Sequence, residues 1–279
     1  MFKYIFLLLI SFNMLISADA YKIFDAEGDE LDFEDLIEQS LENEIILFGE
    51  LHNNPISHFL QIKLLKNIYA EDKTLSIGAE MFEADDQIVI DEFLSGKIRM
   101  KDLEKEAKTW NNFKTDYSMI LEFAEKHNLK FIASNIPRRY ASLLARNGEE
   151  ALNEIDELGK RFICPLPMEY NPELPGYKSM EGMGADHGMP HIAQSQAIKD
   201  ATMAYFIDKN FNNRFYHLNG AYHSNNFEGI NWYLKRINPD YKILTITCVE
   251  QEDVDDLKED NFGLADFIIV IDSDMTKSY

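Results

Sequence analysis

The chain has 279 residues, a formal net charge of −22 and two cysteines. A surface that acidic repels nucleic acid and anionic lipid, so neither is an expected partner. Cys164 and Cys248 are too few and too far apart for a cysteine-based metal knot, and they read either as one disulfide or as two buried thiols.

Met1-Phe2-Lys3 precedes an apolar run from Tyr4 to Ile10, resumed from Met14 to Ile16, and Ala18-Asp19-Ala20 has the small-x-small pattern of a signal-peptidase site. This predicts a secretory signal peptide over 1–20, with Tyr21 as the mature N-terminus. Ser11 and Asn13 interrupt the apolar run, which favours cleavage over a membrane anchor. No later stretch holds the roughly 18 consecutive apolar residues of a membrane span. Residues 21–279 are expected to form one domain, at the upper size limit for a single core.

Tyr21–Phe24 reads as a strand followed by a turn over Asp25–Gly28, and Phe33 to Leu41 as an acidic amphipathic helix. Ile45-Ile46-Leu47-Phe48 is a short apolar run, the mark of a strand buried on both faces. Gly49-Glu50-Leu51-His52 follows at once, then the turn signal Asn53-Asn54-Pro55 and a helical pattern over 56–69. Leu75–Ala79 repeats that logic and ends at Glu80. Residues 85–127 are helical in pattern. Lys130–Ser134 is a third strand, leading to Asn135-Ile136-Pro137-Arg138-Arg139, where Pro137 suits the start of a helix that runs to about Leu158.

Residues 164–192 are different. They hold five of the eight prolines and a Met- and Gly-rich run flanked by His187 and His191, so a long irregular insert is expected. Ala193–Asn210 is a clear helix. Phe215–Leu218 is a fourth strand, running into Asn219-Gly220-Ala221-Tyr222-His223, and a helix extends from near Phe227 to Arg236. Lys242–Thr247 and Phe267–Ile271 complete the strands. The alternation predicts an α/β fold: a three-layer parallel sheet with helices on both faces and a helical or irregular insertion.

In such a sheet, ligands bind outside the carboxyl ends of the strands. Glu50, His52, Glu80 and His223 all follow strands, so they are expected at one edge. Two carboxylates and two imidazoles converging there suit a divalent metal or acid–base chemistry; separately, each would cap a helix or stabilise a loop.

The segments 46–55 (Ile-Leu-Phe-Gly-Glu-Leu-His-Asn-Asn-Pro), 78–83 (Gly-Ala-Glu-Met-Phe-Glu) and 134–138 (Ser-Asn-Ile-Pro-Arg) come in that order. Gln196 with Asp200-x-x-Met203-Ala204, and Asn219-Gly-x-x-His223, complete the series. Together they resemble the ChaN family of haem-binding proteins of bacterial iron uptake, in the Tiki superfamily, which also holds erythromycin esterases and metal-dependent Tiki proteases. The resemblance covers essentially the whole mature chain. It implies a periplasmic or cell-envelope location and haem bound in a crevice, its iron on a tyrosine. It also implies subunits paired as a homodimer around two haems, serving an outer-membrane haem or iron transport system.

A haem site needs an axial ligand, an apolar wall and cations for the propionates. Tyr177 and Tyr222 are the candidate ligands. Arg138 and Arg139 are the candidate cations, and His187 and His191 lie in the stretch expected to close over a flat ligand. The alternative is a hydrolase, in which Glu50 activates water while His52, Glu80 and His223 bind Mn, Co or Zn. No Gly-x-Ser-x-Gly nucleophile signature is present.

Overall fold

The computed structural model describes residues 19–279, so most of the expected signal peptide lies outside the described residues. The described chain opens with β1 (Tyr21–Asp25), β2 (Glu30–Leu31) and α1 (Phe33–Glu42). β3 (Ile45–Glu50), α2 (Pro55–Glu71) and β4 (Ser76–Glu83) follow, then α3 (Gln87–Leu94), α4 (Met100–Glu106), a π-helical turn over Phe113–Tyr117, α5 (Ser118–His127) and β5 (Phe131–Asn135). Next come α6 (Arg138–Asn147) and two four-residue helices, α7 (Glu157–Lys160) and α8 (Pro175–Lys178). α9 (Ile192–Asn210), β6 (Phe215–Gly220), α10 (Gly229–Ile237), β7 (Ile243–Gln251) and β8 (Phe267–Asp272) complete the fold.

The eight strands form one sheet in the order β2-β1-β8-β7-β3-β6-β4-β5. β3 to β8 run parallel where they pair, and only β1 is antiparallel, to β2 and to β8. The period-two alternation of a strand divides the core. Ile46 and Phe48 face the layer of α1 to α5, whereas Ile45 and Leu47 face α6, α9 and α10. The run Ile45–Phe48 is fully buried because both faces are covered. Cys248 belongs to the first cluster and Cys164 to the second; both thiols are free, and burial pushes each up to about 12. The disulfide alternative is thereby excluded.

Local signals explain the boundaries. Asn54 caps α2 by accepting from the backbone N–H groups of Ile56 and Ser57, with Pro55 at the first helical position. The long helical stretch expected over 85–127 is broken at 95–99 and again at 107–112, and the chain re-enters helix through the π turn. β5 is an edge strand, and the Gln87 side chain takes the place of a further strand. Its Nε2 donates to Phe131 O at 2.8 Å and its Oε1 accepts from Ala133 N at 2.7 Å.

This edge cover generates a prediction. Gln87→Ala strips partners from two part-buried backbone groups, and each orphaned group costs about 1–3 kcal/mol. Urea unfolding should show a loss of that order, and an unchanged midpoint would mean that water replaces the amide without cost.

Candidate functional site

The carboxyl ends of β3, β6 and β4 lie side by side, because β6 runs between the other two. Ile45 pairs with Phe215 through to Glu50 with Gly220. β4 leaves its ladder with β6 after Ala79, and against β5 the register jumps from Ala79–Ala133 to Glu83–Asn135. Four positions of β4 thus span two of β5 in an irregularity that re-aims Glu80 toward β6. The strand continues to Glu83, so Glu80 sits at this bulge, whereas the sequence suggested a strand end.

Glu50 is 1 % exposed, and folding a carboxylate there demands donors. Its Oε1 accepts from the Tyr117 hydroxyl at 2.6 Å and faces His52 Nδ1 at 2.8 Å; its Oε2 accepts from Gln61 Nε2 at 2.6 Å. The Nδ1 proton of His52 points at this anion, which leaves Nε2 as the other face of the ring. Trp110 packs edge-to-face on His52 with ring centres 4.8 Å apart, and Asn112 Nδ2 donates to the His52 carbonyl at 2.9 Å. Burial disfavours the His52 cation, but the bond to Glu50 and the charge of Glu80 outweigh it and raise its pKa.

Glu80 Oε2 accepts from Gly220 N at 2.7 Å, and its Oε1 lies 3.2 Å from His223 Nε2. On the other side of the ring, His223 Nδ1 is 2.5 Å from Asp200 Oδ1, and Asp200 Oδ2 accepts from the Tyr177 hydroxyl at 2.7 Å. Burial opposes the imidazolium, yet two flanking carboxylates raise His223 to about 10. Its charge in turn holds Glu80 far below the usual carboxylate range despite burial. Burial pushes Asp200 up, and His223 only partly offsets that.

Gly220 and Gly49 allow this packing. A Cβ on Gly220 would stand 2.7 Å from His52 Nε2, and one on Gly49 would stand 2.8 Å from Ile246 O.

A cleft of about 990 Å³ opens above these strand ends, within the range of small-molecule and cofactor sites. Its floor carries His52, Glu80 and His223; Trp110 and Asn112 line it, as do Ile136 just before α6 and Ala141 and Ala145 within it. Tyr222, Met180, Met189, Arg138 and Lys199 also line it.

Of the expected haem-binding residues, Tyr222 and Arg138 therefore reach the cleft, and Arg138 makes no ion pair among the described residues. The other four do not line it. Tyr177 is 2 % exposed and tied to Asp200. Arg139 is spent on Asp85, at 2.6 Å, and lies over the Tyr140 ring. His187 is exposed on the surface, and His191 sits at the N-terminus of α9 against Gly148.

Among the described residues, no group of three or more His, Cys, Asp and Glu side chains is disposed to hold a metal ion. Both His223 nitrogens face carboxylates, Glu80 Oε1 at 3.2 Å and Asp200 Oδ1 at 2.5 Å. Glu50 does not line the cleft, and Tyr117, His52 and Gln61 hold its two oxygens.

The sequence reading missed Tyr117 and Gln61 as partners of Glu50, and gave Asp200 only as part of a motif, not as the partner of His223. Asp200 carried a usable signal, an acid in the middle of an otherwise apolar helical face. Tyr117 carried none, since it lies 67 residues from Glu50.

The chain matches the family model described as "Haem-binding uptake, Tiki superfamily, ChaN" over residues 36–234. Among solved structures it is similar to ChaN of Campylobacter jejuni, described as showing cofacial heme binding. The identity is 17 %, covering 91 % of this chain and 97 % of that one, with a TM-score of 0.68. The type III effector HopBA1 is 12 % identical over 85 % of this chain and 91 % of its own, with a TM-score of 0.51. A Bacillus cereus protein is 10 % identical over 86 % and 90 %, with a TM-score of 0.52. At these identities the structural likenesses establish the α/β fold. No curated protein matches the chain.

The raised His223 makes stability depend on pH in a stated direction. A histidine whose folded pKa of about 10 exceeds its ordinary value of 6.5 contributes stability that is fully present below 6.5 and lost as pH rises through about 10. Melting temperature should fall across that window in the wild type. His223→Gln should start lower and fall less; parallel curves for the two proteins would show that His223 is not charged in the fold.

Proposed function

Since the chain belongs to the haem-binding uptake family of the Tiki superfamily, ChaN, we propose that it binds haem in the cleft at the strand ends and serves haem uptake from the cell envelope. The observation that carries this reading is the extent of the family match. Residues 36–234 run from α1 into α10 and include every cleft-lining residue named above.

The residues of the cleft fit the group. Haem brings a flat apolar face, anionic propionates and a ferric iron that accepts an oxygen, nitrogen or sulfur donor. Ile136, Ala141, Ala145 and Ile192 offer an apolar wall. Arg138 and Lys199 supply positive charge in a protein of net charge −22. Among the described residues, the Tyr222 hydroxyl is bonded only to a thioether sulfur, 3.5 Å away, so little is lost when it turns to another partner. Tyr177 would have to abandon a charge-assisted bond to a buried carboxylate. Tyr222 is accordingly the iron ligand in this reading, and Tyr177 holds Asp200. The buried acids position the floor: Glu50 orients His52, and Glu80 with Asp200 fixes the turn that carries Tyr222 and His223.

The chemistry of uptake extends the reading. Export by the N-terminal signal would place the protein in the periplasm or cell envelope, where an outer-membrane haem or iron transporter is the source. Pairing of two subunits around bound haem is the expected loaded state.

Titrating the apo-protein with ferric haemin should give a saturable absorption change distinct from free haemin, with a rise in sedimentation coefficient toward that of a dimer. Tyr222→Phe should weaken binding at least tenfold, and Arg138→Ala by about 1–3 kcal/mol, as for a hydrogen bond to a charged group. Tyr177→Phe should lower thermal stability and leave haem affinity in place. A wild-type spectrum indistinguishable from free haemin would overturn the reading.

A further inference from the structure

Two donors of opposite chemical character meet in the cleft. The Tyr222 hydroxyl donates to Met180 Sδ at 3.5 Å, and both side chains line the cleft. A thioether is a weak acceptor, so this pairing stabilises the fold little. Its placement is nevertheless well supported. Met180 lies two residues past the end of α8, and its N–H donates to the Tyr177 carbonyl at 3.0 Å. Tyr177 is itself held beneath by Asp200, at 2.7 Å. Gly176 brings the turn close: a Cβ there would stand 3.6 Å from the Tyr222 hydroxyl and 2.9 Å from Glu228 Oε2, which accepts from Gly176 N. The sulfur is thus carried on an anchored turn. Met183, three residues on, is 67 % exposed and does not line the cleft.

A phenolate is a hard anionic donor and suits ferric iron. A thioether is soft and neutral, favours the lower oxidation state and raises the potential of a haem it ligates. Resting on the haem reading above, we propose that Met180 is the cleft's donor for ferrous haem iron, as Tyr222 is for ferric. The two side chains then let one cleft hold both oxidation states of the same ligand. Passing from the ferric to the ferrous state takes one electron from an external one-electron reductant. It also takes one proton from solvent, which returns Tyr222 to the phenol. No covalent bond of the protein forms or breaks. Thioether ligation needs no proton to leave, so Met180 is available as a donor while Tyr222 is protonated.

The test uses the full chain, Met180→Leu, and Met183→Leu as a surface control. Each is titrated with ferric haemin in air and with dithionite-reduced haemin under anaerobic conditions, and the midpoint potential of the bound haem is measured. Met180→Leu should weaken ferrous haem at least tenfold and leave ferric haem within twofold, lowering the potential by about 59 mV for each tenfold. Met183→Leu should match the wild type. Equal weakening of both oxidation states would assign Met180 a packing role only, and unchanged affinities would assign it none; either result overturns the proposal while leaving the haem reading intact. Failure of the wild type to bind haem in either state would overturn both. Should Met180→Leu not fold, the wild type labelled with ¹³C-methyl methionine answers alone. One methyl resonance must move far outside its ordinary range on binding ferrous haem, and an undisplaced set contradicts the proposal.

Discussion

A carboxylate taken out of water must find donors, and that constraint organises the carboxyl edge of this sheet. Glu50, Glu80 and Asp200 are each at most 5 % exposed. Their partners come from α2, the π turn before α5, the last residue of β6, and α8 within the insert. Each bond ties a different part of the cleft to the sheet. Burial of acids is therefore inseparable from the placement of the groups that line the cleft. The three acids each have donors, and loss of one partner would leave a buried carboxylate to bear its desolvation cost.

The sheet order gives this constraint its geometry. With β6 between β3 and β4, the turn after Gly220 lies directly over both acids that precede the cleft. Gly220 admits the His52 ring on one side and donates its N–H to Glu80 on the other. Tyr222 and His223 follow at once, so the same turn that satisfies Glu80 brings a phenol to the cleft. The imidazolium of His223 stands between two acids that would otherwise repel each other.

Much of this was legible in the sequence because it is local. Each parallel strand is a short apolar run that leads to a polar residue, so the fold class follows from order and period; the meeting of Glu50, His52, Glu80 and His223 also needs β6 to lie between β3 and β4. What was not legible depends on distance along the chain. The bonds of Glu50 to Tyr117, of Glu80 to Gly220 and of His223 to Asp200 span 67, 140 and 23 residues. The π turn that aims Tyr117 has no sequence signature. Tyr177 and Tyr222 look alike as residues, and only packing shows that one is spent on Asp200 while the other lines the cleft. Arg138 and Arg139 differ by one position, and one helical step of about 100° sends the second to Asp85.

The account rests on one assignment, that ferric haem in this cleft is held by the Tyr222 phenolate. Resonance Raman spectra of the haem-loaded protein, excited in the phenolate-to-iron band, test it directly when the protein is made with ordinary and with ring-deuterated tyrosine. The account predicts tyrosinate ring modes that shift on deuteration and are absent from Tyr222→Phe. Bound haem with no isotope-sensitive tyrosinate mode, or modes that persist in Tyr222→Phe, would contradict it.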